Sequence, residues 1–394
     1  MKSTIKSFLN FFFIIIFIVL ITYVSFFTDI PTKTGNFVRK EIEESTNSFE
    51  EYNNDFMINK LGIQMNAYYY SFLTDNQKKI YDSIANGVKN FQNEFVVRDY
   101  IAQDKDQFAL EVSVAIEAFI NDHPEVFYLQ SEYSSYILSS FEGNLGYIRL
   151  NYTEESIDEV NRKIELMSQK IDEYLVDLEG LNDFEKELKI HDRLSYAVEY
   201  SHLEDLPREY HTAEGALLEN IGVCDSFTKA LQLIYNRAGI NSIIVLGSLD
   251  GNPHAWNMVN VNNEWYHVDL TSSHSIFEET GIVNHAYFNL NTEALKKFAI
   301  IDNEELLPSS QGDICNYYNY NNLIIKEGED IYQRLEDICT IFSNDNYIEF
   351  YVEGNVGNKI STVLIALRDI DPTFLDGTRL YYYNIENAII IPKN

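Results

Sequence analysis

The sequence predicts an α+β fold, and three observations carry that expectation. Apolar residues Phe227, Ala230, Leu231, Ile234 and Tyr235 recur at helical spacing behind Cys224 and stop at Gly239, which describes an amphipathic helix with a cysteine at its mouth. Residues 243–247, 255–261 and 265–270 then read as strands, the last two joined by Asn262-Asn263, a pair that tolerates the positive φ of a tight hairpin. Beyond Tyr317 short strand-like and helix-like runs alternate, as in a small separate α/β unit. The expected architecture is a helix packed on an antiparallel sheet, preceded by a mainly helical region.

Taken in order, residues 11–27 (FFFIIIFIVLITYVSFF) follow Lys2 and Lys6, carry no charge and are about long enough to cross a bilayer as a helix. Small residues do not occupy the positions a signal peptidase reads, so a single-pass anchor in the cell membrane is expected over secretion after cleavage. The preceding lysines place the amino terminus in the cytoplasm and the body outside. Residues 1–30 are expected to be that membrane segment, and 31–60, rich in Thr, Asn, Ser and Glu, a polar stalk.

Residues 61–180 are expected to be mainly helical. Thr74 precedes Ile80, Ile84, Val88 and Phe91 at helical spacing, and a second helix over 108–120 stops at Asp122-His123-Pro124. Two strand-like runs, 136–141 and 147–152, flank Gly143-Asn144 as a turn. Ile157, Val160, Ile164, Met167, Ile171, Tyr174 and Leu178 then alternate steps of three and four, a long helix expected to pack on its own domain rather than form a dimer seam. A further helix from Asn182 or Asp183 to about residue 200 leads into the cysteine helix. In the C-terminal unit, 316–394, strands are expected at 323–326, 347–352, 379–383 and 388–392 and helices at 331–342 and 360–367, without a catalytic motif.

A formal net charge of −32 makes nucleic acid and anionic lipid surfaces poor partners. Cys224, Cys315 and Cys339 are too few for a disulfide framework, and the latter two are expected to be core thiols rather than a bridge. No C-x-x-C or H-E-x-x-H spacing occurs, so no metal or cofactor is expected.

The chemistry concentrates in residues 222–269. At a helix N-terminus, free N–H groups and the helix dipole favour a thiolate on Cys224 and can hold an oxyanion. With Asn262-Asn263 as the loop, Val261 faces Glu264, Trp256 faces Asp269 and His254 faces Thr271. His254 and Asp269 then lie diagonally on one sheet face, close enough for a carboxylate to orient an imidazole. His267 and Met258 share that face, and His267 ranks below His254 as a base because it pairs mid-strand. His274 and His285 lie beyond the hairpin and are expected to be structural.

These blocks resemble the transglutaminase-like superfamily, papain-like enzymes with a Cys-His-Asp triad. The resemblance runs through Thr212-Ala213-Glu214-Gly215-Ala216-Leu217, Gly222-Val223-Cys224, Ala238-Gly239-Ile240, His254-Ala255-Trp256-Asn257 and Trp265-Tyr266-His267-Val268-Asp269-Leu270-Thr271. His285-Ala286-Tyr287-Phe288 and the phrase Asp122-His123-Pro124-Glu125-Val126-Phe127, similar to a leader region of secreted bacterial members, match more softly. The resemblance implies a catalytic core over 181–310, with Cys224 as nucleophile, His254 as general base and acid, Asp269 as orienting carboxylate and the Cys224 N–H in the oxyanion hole. Tyr210 and His211 are candidates for the second oxyanion donor. Ser226 stands where a glycine is common and Ser272 where an aromatic is common, departures that bear on the cleft walls. The implied activity is that of a peptidase or amidase on a protein or cell-wall peptide, ahead of a cross-linking transamidase. The alternatives are a non-catalytic binding module or a structural protein of the cell surface.

Overall fold

The computed structural model describes residues 61–63, 67–140, 143–354, 356–371, 381–383 and 387–393. The expected membrane segment and stalk lie outside them, and among the described residues no helix is long and apolar enough to cross a membrane.

Thr74 opens the first helix, α1 (Asp75–Lys89), with a capping box: its hydroxyl accepts from the Gln77 N–H, and the Gln77 side chain accepts from the Thr74 N–H. Then come β1 (Glu94–Ile101), α2 (Lys105–Asp122), β2 (Leu129–Ser140) and β3 (Gly143–Tyr152), whose strands form an antiparallel sheet in the order β1-β3-β2. This region therefore holds a sheet beside its helices. The strand β1 escapes a sequence reading because only Val97 and Tyr100 along it are buried. Gly143 and Asn144 are not the turn but belong to β3, paired with Ser140 and Ser139. Asp122, at the end of α2, is buried and accepts from the Tyr69 and Tyr70 N–H groups and the Tyr81 hydroxyl, so the Asp-His-Pro phrase anchors the start of the body.

The next helix, α3 (Ile157–Tyr174), begins at Ser156 and buries Val160, Ile164, Met167, Ile171 and Tyr174 within its own molecule. Asn182 opens α4 (Asp183–Ala197) with a second capping box. After β4 (Glu199–Tyr200) and β5 (Ile221–Gly222), a short parallel pair, the chain enters α5 (Cys224–Arg237). Next are β6 (Ser242–Leu249), β7 (Asn252–Val261), β8 (Glu264–Val268), short helices α6 (Leu270–Ser273), α7 (Phe277–Thr280) and α8 (Thr292–Leu295), and β9 (Ala299–Ile301). The strands β8-β7-β6-β9 make an antiparallel sheet, and α5 packs on β6 and β7. Asn262 and Asn263 turn the β7–β8 hairpin with φ of 55° and 65°.

The C-terminal unit comprises α9 (Tyr317–Tyr320), β10 (Ile324–Ile325), α10 (Ile331–Ile341), β11 (Tyr347–Val352), α11 (Val356–Ile370), β12 (Tyr381–Tyr383) and β13 (Ala388–Pro392). Its sheet runs β10-β11-β13-β12, with β10 parallel to β11 and the other pairs antiparallel. One contiguous apolar core extends from Ile80 and Phe119 through Phe227 and Trp256 to Phe350 and Leu367. All three regions thus draw on the same burial of apolar surface. Cys224, Cys315 and Cys339 are free thiols, with Cys315 buried.

Candidate active site

The end of α5 that carries Cys224 is left open. Val223 is the N-cap, extended at φ −115° and ψ −174°, and supplies no side-chain acceptor. The Val223 N–H goes to the Tyr210 carbonyl and the Ser226 N–H to the Val223 carbonyl, which leaves the Cys224 and Asp225 N–H groups without a partner in the helix. The position of the thiol along the sheet is set one turn further on. The Thr228 hydroxyl donates to the Ala255 carbonyl (3.1 Å), and the Asn257 side-chain amide donates to the Thr228 carbonyl (3.1 Å). Thr228 lies one turn after Cys224, and Ala255 adjoins His254, so these two buried bonds lock the sulfur against the imidazole.

Ser226, the departure from glycine, is buried and donates to the Thr212 carbonyl at 2.6 Å. Its room comes from Gly222, where a Cβ would stand 2.3 Å from the Ser226 Cβ. A residue without a Cβ is therefore required at position 222 while serine stands at 226.

The β7–β8 ladder follows the expected register from Val261↔Glu264 to Asn257↔Val268, and there it ends. The two further pairs that the sequence extrapolates, Trp256 with Asp269 and His254 with Thr271, are corrected. Asp269 leaves the strand at φ −109° and ψ 89° to cap α6, its Oδ1 accepting from the Ser272 N–H at 3.0 Å. Oδ2 accepts from the Ser272 hydroxyl at 2.6 Å and lies 2.8 Å from His254 Nε2. Cys224 lines the same cleft as His254 and adds to the raising of its pKa. With Nε2 turned to Asp269, Nδ1 is the nitrogen left for the thiol.

The electrostatics follow from these contacts. Burial works to lower the His254 pKa, but the charge and hydrogen bond of Asp269, reinforced by Cys224, raise it to about 10. Burial works in the opposite sense on Asp269, and His254 with Ser272 outweighs it, holding the carboxyl below its ordinary range. Beside the thiol, Asp225 is also held down, because Lys229 and His211 outweigh its burial.

The competing histidines are turned elsewhere. His267 is buried, accepts from the Trp256 indole N–H at Nδ1 (3.1 Å) and meets Thr292 Oγ1 at Nε2 (3.1 Å), and burial lowers its pKa to about 3. Met258 faces it across the ladder. His274 Nδ1 meets the Ser195 hydroxyl at 3.1 Å, and His285 is held by Asp192 and Glu349. Of the oxyanion candidates, Tyr210 gives its N–H to the Pro207 carbonyl and its own carbonyl to the Val223 N–H, while His211 meets Asp225 at 3.2 Å. Cys224 and His254 open into a cleft of ≈ 440 Å³ whose walls include Tyr200, His202, Asp250, Ser272 and Glu278.

Three contributors were not singled out for these contacts by sequence reasoning: Thr228, Asn257 and Ser272. Only the last left a local signal, since Asp269-Leu270-Thr271-Ser272 has the spacing of a helix cap bonding three residues on.

Residues 174–270 match the family model of the transglutaminase-like superfamily. No curated protein matches the chain. Among the solved structures similar to it are two of low identity. One is a candidate cysteine protease from Cytophaga hutchinsonii, at 14% identity and a TM-score of 0.24, covering 36% of this chain and 66% of that one. The other is a TGase, at 12% identity and a TM-score of 0.28, covering 50% of this chain and 53% of that one. The chain therefore spans less than two thirds of the length of either. With the cysteine helix, the antiparallel sheet and the matched segment in agreement, residues 174–270 form a domain of the transglutaminase-like superfamily.

Proposed function

We propose that this chain is an extracytoplasmic thiol enzyme acting on peptide or carboxamide bonds of a protein or cell-wall peptide, with Cys224 as nucleophile, His254 as general base and acid, and Asp269 as orienting carboxylate. The observation that carries the reading is the shared cleft: His254 meets Asp269 at 2.8 Å and opens into one cleft with Cys224, which stands at the uncapped start of α5. Its placement outside the cell rests on the uncharged run 11–27 behind Lys2 and Lys6.

In this scheme the Cys224 sulfur, its proton held by His254, bonds to the carbonyl carbon. The carbonyl electron pair moves onto oxygen, where N–H groups at the start of α5 receive it. The C–N bond breaks as His254 passes its proton to the departing amine or ammonia. Water then adds to the thioester and gives a proton to His254, and breaking the S–C bond frees the acid and restores the thiolate-imidazolium pair. Water is favoured as acceptor over an amine because the cleft at Cys224 is open to solvent, with His202, Asp250, Asn252 and Glu278 along it.

The test incubates the full chain in detergent with glutamine-bearing proteins and peptides, with and without a primary amine. Release of ammonia or new termini is expected, and Cys224→Ala abolishes it. Incorporation of the amine would instead make the enzyme a transamidase. Activity that survives Cys224→Ala would sink the triad, and no activity together with a Cys224 alkylated at mildly acidic pH no faster than a free thiol would leave a non-catalytic module.

A further inference from the structure

Apart from the cleft, a second group of titratable side chains meets where α4, the segment after α7 and strand β11 come together. His191 Nδ1 lies 2.9 Å from Asp192 Oδ1, and His285 Nε2 lies 3.1 Å from the same oxygen. The three donor atoms all fall within 4.8 Å of one another. Two imidazoles beside one carboxylate could each take a different oxygen. Here both approach Oδ1, so two nitrogens and one oxygen are gathered in one place.

The support behind these atoms is unusually complete. Glu349 Oε2 meets His285 Nδ1 at 2.7 Å, and its Oε1 accepts from the His285 N–H (2.8 Å) and the Tyr318 hydroxyl (2.7 Å). The Tyr317 ring stacks on the His285 ring at 3.9 Å and 12°. A carboxylate on one imidazole nitrogen fixes the ring and turns the other nitrogen outward, the arrangement by which proteins orient a metal-binding histidine. The His191 ring makes its hydrogen bond only through Nδ1, since its buried Nε2 has no partner.

Charge and access point the same way. Glu349 and both histidines are buried, whereas Asp192 keeps about a third of its side chain exposed, so the cluster reaches solvent on that side. The carboxylates of Asp192 and Glu349 both face His285, and a divalent cation would stand beside two acidic groups. Two imidazole nitrogens and one carboxylate suit zinc or a similar transition ion rather than calcium or magnesium. Bonds of about 2.0–2.1 Å in a tetrahedron hold donor atoms about 3.3 Å apart, so the two nitrogen–oxygen contacts would open by a few tenths of an ångström while the two nitrogens, now within 4.8 Å, settle to the same spacing.

We propose that His191, Asp192 and His285 form a binding site for a divalent transition metal, with Glu349 as its outer carboxylate. The site sits at the seam between the transglutaminase-like domain and the C-terminal unit, and the ion clamps the two through the Glu349–His285 contact. No sequence motif announces it, because its ligands come from positions 191, 192 and 285 and its support from 318 and 349. It is independent of the chemistry at Cys224.

The test uses the full chain in detergent, stripped with a chelator and carrying Cys224→Ala so that the cleft thiol takes no metal. Titration with zinc, and with cobalt as a coloured substitute, is expected to give one ion per chain and cobalt bands without thiolate charge transfer. Asp192→Asn and His285→Gln should each abolish that uptake, while Glu349→Gln keeps one ion and weakens binding about 10- to 100-fold. Zinc should also raise the thermal midpoint of the parent chain and not of Asp192→Asn, a change of the same shape at a partly exposed side chain. Uptake that the Asp192 and His285 variants leave unchanged, thiolate bands on the cobalt adduct, or no uptake and no thermal shift in the parent chain, would each overturn the site.

Discussion

His254 and His267 stand on the same face of the β7–β8 hairpin, both largely buried, yet burial prevails in one and is overruled in the other. At the open end of the ladder Asp269 has left the strand, and its carboxylate raises His254 to about 10. In the middle, His267 has only the Trp256 indole and the Thr292 hydroxyl as partners, and burial takes it down to about 3. A sheet face by itself therefore does not make a base. The difference lies in where the ladder stops, since a residue that continued the strand would point its carboxylate no further than the next rung.

The largest expected effect breaks this comparison outright. Cys224→Ala or His254→Ala should lower kcat by about 10⁵- to 10⁶-fold, whereas His267→Gln should leave kcat/KM unchanged and cost about 1–3 kcal/mol of stability for its two buried partners. Rate measurements beside denaturant melts decide it, and the reverse pattern would make His267 the base.

Asp269→Asn should come next, at about 10⁴-fold in kcat, and should move the basic limb of the pH–rate profile down because His254 loses the charge that raises it. Histidine nitrogen NMR reads the same contrast directly: the parent His254 stays protonated until about pH 10, and His267 stays neutral down to about pH 3. The two contribute to stability with opposite sign. The raised pKa of His254 stabilises the fold fully below the ordinary 6.5 and is lost as pH rises through about 10. The depressed pKa of His267 gives stability that is present above 6.5 and lost as pH falls towards about 3.

Ser272→Ala sharpens the comparison more gently. Loss of a hydrogen bond to a charged group, about 1.5–3 kcal/mol, should reduce kcat/KM by roughly 10- to 100-fold, with a downward shift of the basic limb that Ser272→Thr restores. A merely structural role would leave that limb in place. The smallest effect is expected at the back of the site, where Gly222→Ala should cost about 1–3 kcal/mol by overpacking. Adding Ser226→Gly to Gly222→Ala should recover part of that loss in a thermal melt, because the closest clash is with the Ser226 side chain.

Much of the frame was legible in the chain because its causes are local. Helical spacing behind Cys224 and the positive φ of Asn262 and Asn263 act within a few residues, and α5 and the β7–β8 register follow from them. The capping pairs Thr74/Gln77 and Asn182/Glu185 start α1 and α4 for the same reason. β1 was not legible, since its burial comes from neighbours far along the chain rather than from its own pattern.

By itself the sequence determined that a cysteine opens a helix, that a histidine stands on the adjoining strand and that a carboxylate follows the hairpin, since order and periodicity are properties of the chain. Only the tertiary structure decided that Asp269 turns out of the strand onto His254, that Thr228 and Asn257 hold α5 in register with β7, and that His191, Asp192, His285 and Glu349 meet at all. Those contacts join residues that share no local pattern, and it is the common apolar core that brings them together.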